Sequence, residues 1–239
     1  MMPVPAANEP PYPGIVLVAE ELALVAVDPG SGRFAFGTGT QLNACLAGLL
    51  VAELLLDGSA AQGKSVDQVV LVPSRPPSHR VLVAAARVVG EKGPKLKGVF
   101  QGMAGGLRRD VGMSTWDAVA DGLVAAGVLG PPRGSRRPSY PLLDSAARDA
   151  VVARLSASAT GNGRIEPRTA LVLSMTGPAQ LLETVCPNRK ARKEVRNRID
   201  HALDDSELKP VGKVVRRLIE EASSAAVTAA IMGGVVASS

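Results

Sequence analysis

Long apolar segments dominate the chain and predict a mainly α-helical protein. Residues 15–27 and 40–56 are apolar on almost every side, so we expect two buried helices, the second at the centre of a bundle; a strand would also suit the first. The run 66–72 is rich in β-branched residues and stops at Pro73, so it predicts a strand. Further patterns predict helices over 81–89, 115–126, 142–156, 167–175, 178–185, 188–203 and 211–232, while 95–112 is ambiguous.

Local signals predict one helix start and one hairpin. Ser114 and Asp117 have the spacing of a capping box, which predicts that a helix begins directly after Ser114. The segment 128–143 (VLGPPRGSRRPSYPLL) then predicts two short β arms around a basic, proline-rich tip. We expect a single, mostly helical domain with minor β structure over residues 14–234, preceded by a disordered proline-rich tail over residues 1–13.

Composition restricts the class of protein. With 46% hydrophobic and 21% charged residues among 239, the chain is too apolar for a disordered or collagen-like protein. Two cysteines, Cys45 and Cys186, cannot form a disulfide framework, and each lies in an apolar stretch where a buried thiol is ordinary. No targeting segment is visible, and the longest uncharged stretch, 222–239, is too weakly apolar to span a membrane. We therefore expect a cytoplasmic protein.

Charge is distributed unevenly along the chain. The formal net charge is +5, yet residues 1–60 hold six acidic residues against Arg33 alone. The remaining three quarters are therefore strongly basic. A positive field of this kind attracts anionic partners, either nucleic acid or an acidic lipid surface.

Catalytic and metal-binding patterns are scarce. His79 and His201 stand in no metal-binding spacing, and neither a phosphate-binding glycine loop nor a nucleophile elbow occurs. We expect no catalytic residue, metal or cofactor. Glu53, a carboxylate in an apolar helix, could be a buried acid with a raised pKa, but a position at the helix rim or a pairing with arginine is the favoured interpretation. Trp116 could contact a ligand or a membrane interface, although a core position is favoured.

Two basic clusters are candidate anion-binding surfaces. The predicted helix 188–203 places a narrow apolar stripe inward and spreads cations over the rest, which indicates either a solvated face or a phosphate-attracting one. Arginines at the predicted hairpin tip are harder to explain structurally, because each basic residue beside an acidic bilayer contributes about 1 kcal/mol to binding. The cations of the helix are Arg189, Lys190, Arg192, Lys193, Arg196 and Arg198, and those of the tip are Arg133, Arg136 and Arg137.

Five segments, in this order and spacing, resemble the Golgi phosphoprotein 3 family in its bacterial branch. They are AEELALVAVDPGSG, LNACLAGLLVAELLLDG, ADGLVAAGVLG, RTALVLSMT and VVRRLIEEASSAAVTAAI, and the likeness extends over residues 14–232. The resemblance implies a mainly α, single-domain helical bundle ringed by amphipathic helices, with a small β-hairpin directed at a membrane. Eukaryotic members are non-catalytic adaptors that bind the headgroup of phosphatidylinositol 4-phosphate and the cytoplasmic tails of membrane glycosyltransferases.

The family's headgroup residues do not carry over to this sequence. Ungapped placement puts Thr38 where the family has a headgroup-stacking tryptophan and Ala47 where it has an arginine. Met113 and Trp116 fall on two basic positions that precede the hairpin. We therefore nominate lipid-binding residues on charge and location instead: Arg33, Arg108, Arg109, Trp116, Arg133, Arg136 and Arg137.

These patterns lead to one expected function and two alternatives. We expect a non-catalytic peripheral adaptor that binds acidic phospholipid headgroups at the inner face of the membrane, with cytoplasmic tails of membrane proteins as further partners. A scaffold for such tails without lipid affinity is one alternative. The other is a winged-helix nucleic-acid-binding module built from the helix 115–126 and the β arms, which we disfavour because that helix carries no side chain suited to reading bases.

Overall fold

The computed structural model describes residues 17–34, 39–107, 113–134 and 138–204, together with Val214, Arg217, Leu218 and Glu220. Helices dominate this part of the chain, which confirms the mainly α prediction. In chain order, the elements are α1 (Val18–Ala26), α2 (Gly39–Leu56), β1 (Ala60–Gln62), β2 (Val69–Leu71), α3 (Arg80–Lys92), α4 (Leu96–Ala104), α5 (Thr115–Ala125), α6 (Ser145–Thr160), α7 (Pro167–Thr176), α8 (Leu182–Val185) and α9 (Arg192–Leu203).

Helix α2 lies at the centre of the bundle, as its uniformly apolar sequence predicts. It packs against α1, α3, α4, α5 and α7. Because neighbours surround it, leucines on all of its sides are buried, and an amphipathic pattern would have left polar groups without water. The fully buried leucines of α2 are Leu42, Leu46, Leu49, Leu50 and Leu54.

Side-chain caps fix the start of several helices. The capping box before α5 is confirmed: the Ser114 hydroxyl accepts a hydrogen bond from the Asp117 amide at 3.1 Å, and the Ser114 amide donates to Asp117 Oδ2 at 3.3 Å. Asp144 accepts from the Ala147 amide at the start of α6. At the start of α7, the Glu166 carboxylate, directly before Pro167, accepts from the backbone amides of Arg168 and Thr169.

The small sheet and one helix differ from the sequence predictions. The predicted strand 66–72 is reduced to β2, which pairs antiparallel with β1 through Ala60↔Leu71 and Gln62↔Val69. The prediction of a helix over 178–185 is wrong in its first half, because the chain turns at 177–181 and only α8 is helical. Gln180 occupies the left-handed region there, with φ of 59°.

The segment 95–112 and the last predicted helix are partly resolved by the structure. Helix α4 occupies the ambiguous segment up to Ala104. The described residues of 211–232 are helical, and Val214 and Leu218, four residues apart, are both buried as the predicted apolar face requires.

Candidate functional site

The segment from Val128 to Asp144 forms the two arms of a hairpin. Antiparallel bridges join Leu129 to Leu142 and Arg133 to Ser139. Arg133 and Ser139 exchange both backbone hydrogen bonds, at 2.8 and 2.9 Å, and the Gly130 amide donates to the Pro141 carbonyl at 2.7 Å. The predicted β arms are therefore confirmed.

The turn that follows α1, residues 28–34, lies beside the returning arm of the hairpin. The amide of Tyr140 donates to the Gly32 carbonyl at 2.7 Å, and a bridge between Val27 and Phe34 closes the turn. Gly32 has φ of 66°, and an added Cβ would lie 2.6 Å from the Tyr140 carbonyl oxygen, so a side chain does not fit there. We call the turn 28–34 and the hairpin 128–144 together the hairpin platform.

The turn is stabilised by Asp28, the acidic group of the platform's turn. Its Oδ1 accepts hydrogen bonds from the amide and the hydroxyl of Ser31, both at 2.7 Å. These hydrogen bonds lower the pKa of Asp28, so the carboxylate stays ionised and its charge is shared with two donors.

An aromatic cluster holds the platform on α5. The ring of Trp116 meets those of Phe34 and Tyr140 edge to face, with centroids 5.1 and 5.8 Å apart. The Tyr140 hydroxyl donates to Asp117 Oδ1 at 2.9 Å, and burial, with Asp117 beside it, raises the pKa of Tyr140. The base of the platform is therefore fixed by packing and by a hydrogen bond to the α5 capping residue.

Trp116 is a core residue in this structure. Only 3% of it is exposed, and its amide donates to Asn43 Oδ1 on α2 at 2.8 Å. The favoured core interpretation is confirmed. Its nomination as a lipid contact stays a prediction, and the buried ring leaves almost no surface for such a contact.

Arg33 and Arg133 are the described members of the nominated arginines, and both lie on the hairpin platform. Both are exposed, and within the described residues neither guanidinium has an ion-pair partner. The Arg133 arm pairs with the Ser139 arm, which in turn contacts the turn that ends in Arg33. Arg108, Arg109, Arg136 and Arg137 lie outside the described residues.

Glu53 belongs to a buried ionic cluster at the start of α1, separate from the platform. It is 4% exposed, and its Oε1 accepts from the Arg168 guanidinium at 2.7 Å and from the Val18 amide at 3.2 Å. Pairing with arginine is thus confirmed, but the position is core rather than rim. Burial raises the pKa of Glu53 to about 7 despite the opposing effect of Arg168.

Two further carboxylates complete this cluster. Glu21 pairs with Arg154 at 2.6 Å, and burial outweighs that cation and raises the pKa of Glu21. Glu20, 1% exposed, accepts from the Leu17 amide and lies 3.8 Å from His79. The cluster joins α1, α2, α6 and α7 through charge pairs in which the carboxylates are buried and the Arg154 and Arg168 side chains are 28 and 40% exposed.

The described residues contain no group of three His, Cys, Asp or Glu side chains placed to hold a metal ion. Both cysteines are free and buried, and burial raises the pKa of Cys45 to about 12. This thiol is therefore protonated and unreactive at neutral pH.

A model of the family described as Golgi phosphoprotein 3 (GPP34) matches residues 18–222, which is most of the chain. The chain belongs to this family. Golgi phosphoprotein 3 proteins are in general non-catalytic adaptors. A comparison with curated proteins finds no match. No helix in the described ranges is long and apolar enough to cross a membrane.

This Golgi phosphoprotein 3 member buries, wholly or in part, three positions that align with headgroup-binding residues of eukaryotic members. Ala47 is fully buried on α2, Trp116 is in the aromatic cluster, and Met113 is partly buried. Thr38 lies outside the described residues. A headgroup on this surface would therefore meet different groups, of which Arg33 and Arg133 are the described cations.

Sequence reasoning missed the two aromatic partners of Trp116. Phe34 and Tyr140 are far apart in the chain, and no local periodicity connects them. A signal was available, however, because the chain has only six aromatic residues. Phe34 directly follows the glycine-rich turn at 28–33, and Tyr140 directly follows the basic, proline-rich tip of the hairpin. Because aromatic residues are so few in this Golgi phosphoprotein 3 member, those beside the two turns could have been expected to pack together.

Proposed function

We propose that this chain is a non-catalytic peripheral membrane adaptor that docks on acidic phospholipid through the hairpin platform. The observation that carries the proposal is that Arg33 and Arg133 lie exposed on one hydrogen-bonded platform and that neither guanidinium has an ion-pair partner among the described residues. Exposed arginines with no internal partner lose no ion pair when they bind a phosphate. Membership of the Golgi phosphoprotein 3 family and the net charge of +5 support the same assignment.

The proposal places the protein at the cytoplasmic, inner face of a membrane, with tails of membrane proteins as further partners. In eukaryotic members of the family, the lipid is phosphatidylinositol 4-phosphate. Because the arginines here sit on a platform and not in a closed pocket, we expect charge density to matter more than headgroup identity. Serine- and inositol-containing acidic lipids of equal charge should therefore bind about equally.

The arrangement of α5 disfavours the winged-helix alternative. A recognition helix must present one long exposed face to a DNA groove. Instead α5 packs against α1 and α2, its residues from Thr115 to Leu123 are mostly buried, and Asp117 is engaged by Ser114 and Tyr140. Docking on a lipid surface, by contrast, needs only the exposed turn and hairpin.

We predict that the double variant Arg33→Ala, Arg133→Ala binds acidic vesicles roughly 30-fold more weakly, because two basic residues contribute about 1 kcal/mol each beside an acidic surface. Flotation on vesicles of neutral lipid, neutral lipid with phosphatidylserine, and neutral lipid with phosphatidylinositol 4-phosphate at matched charge measures this. Binding should also weaken as salt rises.

The matched control for this experiment is Arg75→Ala. Arg75 is exposed, lies outside the platform and, within the described residues, has no partner. The substitution therefore removes one positive charge and leaves the platform unchanged. Equal recovery on neutral and acidic vesicles, or an equal loss for Arg75→Ala, would contradict the proposal.

A further inference from the structure

A cavity of about 470 Å³ lies between the end of α7, the turn that follows it, and α9. Its volume is within the range of small-molecule sites. None of its lining residues belongs to the hairpin platform or to the buried ionic cluster. The cavity is therefore a candidate site with a separate role.

The walls of this cavity are largely apolar. Leu173, Leu182 and Ile199 line it, and each is otherwise packed into the core, with exposed fractions of 1, 7 and 5%. Pro178 completes the apolar wall. An alkyl chain placed against this wall would bury its own apolar surface, which favours binding.

One rim of the cavity carries Arg196, a cation without a partner among the described residues. Arg196 lines the cavity and is exposed, and Lys193 lies one turn earlier on α9; in the described part of the chain neither has a partner. Other cations of the same segment are used internally. Arg192 binds Glu183 and the Cys186 carbonyl, and Arg198 donates to the carbonyls of Ala159 and Gly163.

This contrast divides the basic face of α9 into two parts. Arg192 and Arg198 are structural, so the interpretation of the whole face as solvated is too simple. Arg196, beside an apolar cavity, is available to an anion. Asp200 also lines the cavity, and its negative charge opposes an anion there.

The wall between α7 and α8 is preformed. Gln180 keeps φ of 59°, an uncommon conformation for a residue with a side chain, and the turn is closed by hydrogen bonds from the Gln180 amide to the Gly177 carbonyl at 3.0 Å and from the Leu181 amide to the Thr176 carbonyl at 2.7 Å. Strained residues of this kind concentrate at ligand sites.

We propose that this cavity binds a single-chain anionic amphiphile, with the alkyl chain against Leu173, Leu182 and Ile199 and the carboxylate or phosphate on Arg196. The ligand comes either from solution, as a free fatty acid or alkyl phosphate, or from a membrane. The proposal does not depend on docking through the platform.

Isothermal titration with decanoate and with decyl phosphate, both below their micelle concentrations, tests the assignment on the full chain. We expect saturable binding of one equivalent. Arg196→Gln should weaken it roughly 10-fold through loss of a charge-assisted hydrogen bond, and Asp200→Asn should strengthen it about 2-fold by removing a negative charge. Arg75→Gln, the matched loss of an exposed arginine elsewhere, should change nothing.

A second variant tests the cavity without changing charge. Gly177 lines the cavity with a right-handed φ of −64°, and a Cβ added there would have no atom within 4 Å. Gly177→Leu should therefore fold and weaken decanoate binding by reducing the free volume. Unfolding curves of Arg196→Gln and Gly177→Leu check that the fold of each variant is intact.

Several outcomes would overturn the proposal. Absence of saturable binding would do so, as would equal affinity for decanol, or tighter binding of decyltrimethylammonium with the opposite response to Arg196→Gln and Asp200→Asn. Vesicle flotation then identifies the source of the ligand. A loss of vesicle binding in Arg196→Gln assigns the ligand to the membrane, and a loss only in the Arg33→Ala, Arg133→Ala variant assigns it to solution.

Discussion

Arg168→Met is expected to lower the free energy of unfolding by about 2 kcal/mol at pH 8.5 and by well under 1 kcal/mol at pH 5. In the wild type, the Arg168 guanidinium contacts Glu53, whose pKa burial raises to about 7. Without that cation the pKa rises further, so at pH 8.5 the buried carboxyl must take up a proton or remain ionised without a partner. If the carboxyl of the variant is still protonated at pH 8.5, the variant loses the free energy of the 1.5 pH units between the wild-type pKa of about 7 and pH 8.5. At about 1.4 kcal/mol per unit, this loss is about 2 kcal/mol.

The pH dependence has a definite sign. The folded state holds the proton of Glu53 more tightly than the unfolded chain does, because its pKa is raised from 4.5 to about 7. Its contribution to stability is therefore complete below pH 4.5 and is lost, by about 3 kcal/mol, as the pH rises to 7. At pH 5, Glu53 is mostly protonated in the wild type and the variant alike, so removal of Arg168 then has little electrostatic effect.

Urea unfolding at both pH values measures the effect, and Arg87→Met is the matched control. Arg87 pairs with Glu91 at 3.2 Å on α3, but both side chains are more than half exposed, so its loss should cost less than about 0.5 kcal/mol at either pH. A loss for Arg168→Met that is equal at pH 5 and pH 8.5 would show that Glu53 is not the group that responds.

This ionic cluster also shows where sequence reasoning stops. The apolar run 40–56 predicts a central helix because an all-apolar surface can be stable only among neighbours, and α2 has this position. The same pattern singles out Glu53 as anomalous. It does not identify Arg168, because the partner lies 115 residues away and nothing in the local spacing of α7 distinguishes Arg168 from Arg164 or Arg154.

The hairpin platform also combines features that local sequence predicts with one that it does not. Proline and glycine around 128–143 and the capping box at Ser114 are local signals, and they predict the hairpin arms and the start of α5 correctly. The hydrogen bond from Tyr140 to Gly32 is a contact between distant segments and is fixed by packing. This contact joins the turn that carries Arg33 to the hairpin that carries Arg133, so charge counting could nominate both residues but could not place them on one platform.

The turn at 177–181 is a different kind of failure. Pro178 is compatible with the first turn of a helix and therefore predicts one. The Ala179 and Leu181 amides bond instead to carbonyls at the end of α7, and Gln180 takes a left-handed conformation. Local propensity is overridden here by the geometry of the chain reversal, and this reversal forms the wall of the cavity beside α9.

The largest loss of stability is expected for Trp116→Ala, at about 4 kcal/mol. The side chain is 3% exposed and meets Phe34 and Tyr140 edge to face. Truncation of a buried tryptophan costs 3–5 kcal/mol through lost burial and the remaining cavity, and aromatic contacts add to this cost. In a chain of 239 residues, the midpoint of thermal unfolding should fall by about 10 °C.

Circular dichroism must follow this unfolding, because Trp116 is the only tryptophan and fluorescence is lost with it. Leu143→Ala is the control: Leu143 lies on the same hairpin but is 63% exposed, so its truncation should cost less than about 0.5 kcal/mol. A loss below 1 kcal/mol for Trp116→Ala would contradict the buried position of the ring.

The variant also connects the aromatic cluster to the proposed docking. At a temperature where Trp116→Ala remains folded, the base of the platform has lost the ring that joins Phe34 to Tyr140, while Arg33 and Arg133 are unchanged. Two arginines on a loosened base must be ordered at the lipid surface at an entropic cost. Acidic-vesicle binding should therefore fall several-fold without any change in charge. Unchanged binding would show that the platform's rigidity does not contribute, and that the two guanidinium groups act independently.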